Sequence, residues 1–223
     1  MSNVKVIGFS GLAGSGKDTA AKMLMEEFPN FKKLALADAV KDVTAILFGW
    51  ERKMLTGDTV ESRKFRETKD AYWSEKLKKD FTPRLAMQLV GTECFRNGVD
   101  PSFWVYVVQN KIQQCKDDTV FLIPDVRFPN EIQMIHDLGG FVCRIFRGKT
   151  PSWVADAIDY NRKLLTNKDI QLPESLIKVH VSERSLVGLN LEDHLVYNNG
   201  SFEELKKSLL NICSPYGLCP DKK

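Results

Sequence analysis

Residues 4–20, VKVIGFSGLAGSGKDTA, decide the reading of the chain. Val4 to Phe9 is a short apolar run rich in β-branched residues, and Ser10-Gly11 ends it. From Lys17 the apolar residues return at helical spacing, at Ala20, Ala21, Leu24 and Phe28, until Pro29 and Asn30 stop them. Strand, glycine-rich turn and helix in that order are the setting in which G-x-x-x-x-G-K works as a phosphate-binding loop, or P-loop. Gly11, Gly16 and Lys17 fill three of its four fixed places. Backbone N–H groups around Gly14, Ser15 and Gly16 can curl round a diphosphate, the helix N-terminus adds partial positive charge, and the lysine reaches the β and γ oxygens. A glycine-rich turn with no ligand would not need that lysine.

The fourth place, where Ser or Thr is usual, holds Asp18, with Thr19 one position later. Thr19 can serve the phosphates from there. Asp18 either meets the Mg²⁺ that sits between β and γ phosphates, directly or through water, or stabilises the helix start on dipole grounds alone.

Outward from the loop, the pattern of strand and helix repeats. FKKLALAD, from Phe31, predicts a second strand, and Asp38 is placed to cap a helix with an apolar face of Val40, Val43, Ile46 and Leu47. Residues 51–81 hold nine Lys or Arg and seven acids with little clean periodicity, which predicts a peripheral helical excursion. In TPRLAMQLVG, Thr82 is an N-cap, Pro83 the first helical residue and Gly91 a stop; SFWVYVVQNKI predicts another helix, with Ser102 in the capping place. TVFLIPDVRF is a continuous apolar strand of the kind buried on both faces, and PNEIQMIHDLGG is a helix ending at Gly139 and Gly140. FVCRIF gives a fourth strand, residues 147–185 read as polar and irregular, and HLVYNNG gives a fifth strand. The last helix opens with a capping box, Ser201 with Glu204 three residues on. The fold expected is α/β: a P-loop three-layer sandwich, with a mainly parallel five-stranded sheet between helices on both faces. Residues 1–223 are read as a single domain with a helical excursion over about 50–112 and a lid-like region over about 147–185.

Composition narrows the classes. At 43% hydrophobic over 223 residues the chain can bury one sizeable core. With 32 Lys and Arg against 29 acids, the net charge of +3 is far from that of a nucleic-acid coat or a membrane-surface protein. No apolar run nears the ~20 residues that span a bilayer and the start MSNVKVIGFSG is not that of a secretory signal, so a cytoplasmic location is expected, with no membrane or nucleic-acid partner. Five cysteines without metal spacing fit reduced thiols; only Cys213 and Cys219, in CSPYGLC, are spaced to close a small loop on oxidation.

A P-loop implies a nucleoside triphosphate; the acceptor must be read elsewhere. Asp125 stands at the carboxyl end of the third predicted strand, where open α/β sheets place ligand groups, with Arg127 two residues on and Glu131 on the next helix. Asp125 has the setting of an acid that holds Mg²⁺ through water, although a surface salt bridge would use the same residues. Arg66, Arg84, Arg144 and Arg147 are candidate anion contacts, because a transferring phosphoryl group spreads charge over three oxygens that cations must meet.

Several stretches occur together in the order of one family: SGKDT in the loop, LALADAVKD, RET at Arg66, RLAMQLVGT from Arg84, the Trp of FWV, PDVRFPNE, HVSE, and LVYNNGSFEEL. On these the chain resembles the deoxynucleoside monophosphate kinases of tailed bacteriophages, most closely the T-even kind, within the P-loop nucleoside monophosphate kinases. Residues 148–179 have no counterpart in that pattern. The resemblance implies transfer of the ATP γ-phosphate to a deoxynucleoside 5'-monophosphate (dNMP), in nucleotide biosynthesis for DNA replication, with ATP and Mg²⁺ as co-substrate and cofactor. It assigns Gly11, Ala13, Gly14, Ser15, Gly16, Lys17, Asp18 and Thr19 to ATP, with Arg147 closing from the lid side; the metal candidates, Asp18 and Thr19, rest on their own chemistry beside the loop. It gathers Asp38, Arg66, Arg84, Gln88, Trp104, Asp125, Arg127 and Glu131 about the dNMP, with Lys17, Asp125 and Arg127 as the catalytic groups. Nucleotides are then the partners, a homodimer is compatible, and the location is the cytoplasm, that of the host if a phage encodes the chain.

Residue chemistry suits those assignments. Arg66 and Arg84 can clamp a phosphate bidentately, Gln88 offers a donor and an acceptor to a base edge, and Trp104 offers a flat wall that can crowd a ribose 2'-OH, although Phe103, Val105 and Val108 around it equally suit core packing. Phosphomevalonate kinase-like enzymes share SGKDT, so a kinase of another small phosphorylated acceptor is a competing reading. A nucleotide switch is another; against it, TNKDI (166–170) falls one residue short of the N-K-x-D guanine signature.

Overall fold

A computed structural model describes residues 4–115, 117–167 and 169–218. In chain order the elements are β1 (Val6–Ser10), α1 (Lys17–Glu27), β2 (Phe31–Lys33), α2 (Leu36–Phe48), a 3₁₀ turn (Arg52–Leu55), α3 (Val60–Glu67), α4 (Ala71–Leu77) and α5 (Pro83–Gln88). A π-helical segment (Leu89–Asn97) follows, then α6 (Phe103–Gln114), β3 (Val120–Ile123), α7 (Pro129–Asp137), β4 (Phe141–Phe146), α8 (Val154–Thr166), α9 (Glu174–Ile177), α10 (Val181–Arg184), β5 (His194–Tyr197) and α11 (Phe202–Cys213). The chain divides into two compact units, Met1–Ala35 with Ile112–Lys223, and Leu36–Lys111.

The first unit is built on a five-stranded sheet in the order β2-β3-β1-β4-β5, and every pairing is parallel. β1 is central and all five of its residues are buried, as a continuous apolar strand between two helical layers requires. Alternation along β1 sorts the layers. Ile7 and Phe9 join a core with Ala20, Ala21 and Leu24 of α1 and Leu205, Leu209 and Cys213 of α11. Gly8, on the other face, lies against α7: a Cβ there would come 2.5 Å from Ile135 Cδ1. The α/β sandwich with helices on both faces is thus borne out, and so are all five strands. The capping box at Ser201 is present as well, its side chain accepting from Glu204 N at 3.2 Å.

The second unit is helical. Phe48, Trp50, Trp73 and Phe81 pack ring on ring, and Asp70 caps α4 through Trp73 N while accepting from Trp50 Nε1 at 2.8 Å. Thr82 caps α5 and Pro83 begins it, as the sequence predicts. No helix among the described residues is long and apolar enough to cross a membrane.

Four local expectations are corrected. β2 stops at Lys33 and α2 begins at Leu36, so Asp38 lies inside the first turn and not at its cap. α2 buries Leu36, Val40, Thr44 and Ala45, while Ile46 and Leu47 are 81% and 58% exposed. Leu36, Val40 and Thr44 form one i, i+4 row, and it is this row that faces inward. Gly91 does not stop its helix; the turn widens into the π segment, whose Gly91 carbonyl accepts from Trp104 Nε1 at 2.7 Å. The stretch 147–185, read as irregular, contains the thirteen-residue α8, which buries Val154, Ala157 and Asn161. Cys213 is buried, and its pairing with Cys219 falls outside the described residues.

Candidate active site

After β1 the chain runs toward β2, and after β3 it crosses to β4 on the other side, so the carboxyl ends of the adjacent strands β1 and β3 form a topological switch point. The loop 11–16 leaves one of them and Asp125-Arg127 the other. Gly11, Gly14 and Gly16 all have positive φ, at 133°, 77° and 102°. Gly11 also passes so close to β4 that a Cβ would stand 2.4 Å from the Ile145 carbonyl oxygen. Only glycine meets both demands.

Lys17 opens α1 and turns its ammonium back into the loop, donating to the carbonyls of Gly11 at 2.7 Å and Leu12 at 2.9 Å. Burial, and then the nearby Arg127 charge, push its pKa below the ordinary 10.5, against the pull of Glu183, Asp18 and Asp125. A partly desolvated ammonium beside a guanidinium is a site that gains by receiving an anion. Asn198, just past β5, steadies the loop from outside by donating to the Ser15 carbonyl at 2.8 Å.

Arg127 is held at both ends. Its backbone N–H donates to Glu131 Oε2 at 2.6 Å, and Phe128 N–H to the same oxygen at 3.0 Å. Its guanidinium donates to Ser182 Oγ at 3.3 Å and is ion-paired with Glu183. Burial works against its charge, but Glu183, Asp125 and Glu131 keep its pKa raised. A second cation stands alongside: Arg144 of β4 pairs at 3.6 Å with Glu192, whose buried carboxylate also accepts from Ser10 Oγ at 2.6 Å. Gly11, Leu12, Arg127, Arg144, Glu183 and Glu192 line one pocket beside the loop.

The remaining predicted residues of this unit are placed as follows. Asp125 is half-buried just beyond β3, in the field of Lys17 and Arg127. Glu131 is 2% exposed and its carboxylate serves the start of α7, an arrangement that orients Arg127 and leaves the acid itself facing backbone. Asp18 stands exposed in the first turn of α1, paired with Lys33 at 2.7 Å. Ala13 is exposed at the tip of the loop, Thr19 half-buried beyond Lys17, and Arg147 exposed just past β4. No group of three or more His, Cys, Asp or Glu among the described residues makes a protein metal cage. That donor set still fits Mg²⁺, which keeps most of its waters and takes one or two protein oxygens beside substrate phosphates; Asp18, Thr19 and Asp125 are the oxygens available.

In the helical unit, Arg84 and Gln88 are one turn apart on α5, and Arg84 is ion-paired with Glu67, the neighbour of Arg66 on α3. Arg66 donates to the Thr56 carbonyl at 3.3 Å. Asp38 is paired with Arg52 at 3.0 Å and Lys41 at 3.4 Å. Trp104 is 4% exposed and packs on Val40, Val90, Phe95 and Phe103. Its ring therefore belongs to the core of this unit, not to an open wall.

Sequence reasoning assigned no role to Ser182, Glu183, Glu192 or Asn198. HVSE is a motif without assigned chemistry, Glu192 a lone acid, and Asn198 part of the stretch read as the fifth strand; each gains its role through partners 55 to 183 positions away.

A parallel sheet in this order, with a lysine-bearing glycine loop after its central strand and arginines on the same edge, defines a P-loop phosphotransferase of the kinase type. Residues 50–159 match the family model for deoxynucleotide monophosphate kinase. A protein of Acanthamoeba polyphaga mimivirus described as a putative deoxynucleotide monophosphate kinase is 26% identical over 216 residues, covering 92% of this chain and 94% of that one. The deoxynucleoside-5'-monophosphate kinase of Escherichia phage T5 is 23% identical over 257 aligned positions, covering 93% and 95%. The chain is similar to deoxynucleotide monophosphate kinases, which bears out the resemblance to that family read from its motifs. Among solved structures, the dephospho-CoA kinase of Campylobacter jejuni superposes with a TM-score of 0.47 at 13% identity, over 95% of this chain and 97% of that one; the fold assignment rests on strand order and register alone.

Proposed function

We propose that the chain transfers the γ-phosphoryl group of ATP to a deoxynucleoside 5'-monophosphate, giving ADP and the deoxynucleoside diphosphate. The observation that carries this reading is the deoxynucleotide monophosphate kinase match over residues 50–159, which spans Arg66, Arg84, Gln88, Asp125 and Arg127, in a chain whose Lys17 loop is built for a triphosphate.

The β and γ oxygens of ATP replace the Gly11 and Leu12 carbonyls on the Lys17 ammonium, and the loop N–H groups with the amino end of α1 hold the diphosphate. Asp18 and Thr19, with Asp125 through water, would hold Mg²⁺, which would supply neutralising charge to the triphosphate. Arg84, released from Glu67, and Arg66 grip the acceptor phosphate, and Gln88 reads a base edge. An acceptor oxygen forms its bond to the γ-phosphorus as the bond from that phosphorus to the β–γ bridging oxygen breaks, leaving ADP. That oxygen is already anionic at neutral pH, so no strong general base is needed. Arg127 gives up Glu183 to meet the charge on the equatorial oxygens. Asp38, with its two cationic partners, and Glu131, through Arg127, orient the acceptor side; Arg147 closes over ATP. Trp104 supports the packing behind Gly91. Such an enzyme works where ATP and dNMPs are, in the cytoplasm, that of the host for a virus-encoded chain.

An ADP-release assay across dAMP, dGMP, dCMP, dTMP, the ribonucleotides and phosphomevalonate tests the reading. Turnover of at least one dNMP supports it, whereas release confined to phosphomevalonate would replace it.

A further inference from the structure

We infer that Asn198 is a positioning residue for the phosphate-binding loop: it sets the Ser15–Gly16 peptide so that the Gly16 N–H is aimed at the triphosphate. The inference rests on the proposed nucleotide-binding role of that loop.

Asn198 is the first residue beyond the carboxyl end of β5, and its backbone N–H donates to the Phe146 carbonyl at 2.7 Å, which fixes it to the end of β4. From there Nδ2 donates 2.8 Å to the Ser15 carbonyl. A trans peptide is planar, with its C=O and N–H pointing in opposite directions. A donor that holds the Ser15 oxygen from outside therefore turns the Gly16 N–H inward. The contact is close: a Cβ on Gly16 would stand 2.4 Å from the same Nδ2. Gly16 is the left-handed N-cap of α1, φ 102°, and has no side-chain cap of its own. The peptide at the mouth of α1 is thus held by a side chain 183 positions away. The neighbouring Asn199 does something separate, accepting from Gly148 N–H at 2.7 Å, and so serves as an internal control.

The test is calorimetric titration of Asn198→Ala, Asn198→Asp and Asn199→Ala with ATP, inorganic tripolyphosphate and adenosine, with thermal melts to confirm folding. Asn198→Ala is expected to weaken ATP and tripolyphosphate by the same factor, about tenfold for one lost hydrogen bond that orients a donor. Asn198→Asp, nearly isosteric, puts a carboxylate against the Ser15 oxygen and weakens both ligands further. Asn199→Ala leaves both unchanged. In kinetics the KM for ATP rises in the Asn198 variants while the KM for the acceptor does not. A loss confined to ATP would overturn the inference by showing that the side chain reads the nucleoside, and unchanged tripolyphosphate binding in both Asn198 variants would overturn it outright. If the unsubstituted protein bound neither ATP nor tripolyphosphate, the kinase reading would fall and take this inference with it.

Discussion

The Arg127 guanidinium, on the edge that carries the phosphate-binding loop, is ion-paired with Glu183, a residue of α10 56 positions further along the chain. On the proposed reading, a phosphate arriving at Arg127 has to displace that carboxylate. Glu183→Gln should therefore have opposite effects on two observables. The ligand-free protein loses about 1 kcal/mol or less, because both side chains are partly solvated, and nucleotide binding tightens severalfold as the competing charge is removed. Thermal melts with and without ATP measure both; equal shifts in the two conditions would show that Glu183 does not compete.

Lys17 links nucleotide binding to pH. Its pKa in the ligand-free protein is lowered, first by burial and then by Arg127. A cation whose folded pKa lies below its unfolded value costs stability while charged, so the Lys17 contribution rises with pH from the lowered folded pKa up to the ordinary 10.5. Phosphates arriving at the ammonium push the pKa back up. ATP binding on the alkaline side should then take up protons, up to one per site, and Lys17→Met should abolish the uptake. Calorimetry in buffers of different ionisation enthalpy checks this.

Arg84→Ala should raise the KM for the acceptor by roughly tenfold to a hundredfold, the loss of a charge-assisted contact, with the KM for ATP unchanged. Glu67→Gln, which removes the partner that holds Arg84 in the ligand-free protein, should lower the acceptor KM. Initial rates with both substrates varied separate the two.

Trp104→Phe keeps the packing against Phe95 and Phe103 but loses the indole bond to the Gly91 carbonyl. It should cost about 1–3 kcal/mol of stability and leave the preference for dNMP over ribonucleotide unchanged. Denaturant melts and paired substrate kinetics check both halves; altered discrimination with full stability would return the ring to the ribose.

The sequence carried most of what is local. The glycine spacing and Lys17 located the loop, β-branched runs located the strands, and Thr82, Pro83 and Ser201 located helix starts, because each rests on neighbours within a few residues. What it carried poorly depends on distant partners. The buried face of α2 is set by what packs on it, Val90 and Trp104 against Val40, and Ile46 and Leu47, though apolar enough to look like core, lie off the Leu36–Val40–Thr44 row. Gly91 reads as a stop, but an indole N–H 13 positions on donates to its carbonyl. Within the site the lysine and arginines were legible as types, while Glu183, Glu192 and Asn198 were not, since a lone acid or amide has no signature until a strand end brings its partner to it.

The most direct test is to follow the label from γ-³²P-ATP in the presence of Mg²⁺ and each dNMP. The account predicts labelled deoxynucleoside diphosphate with one equivalent of ADP, at a rate about a hundredfold to a thousandfold lower in Lys17→Met. Label that stays in ATP or appears only as inorganic phosphate with every dNMP, or transfer that survives intact in Lys17→Met, would contradict it.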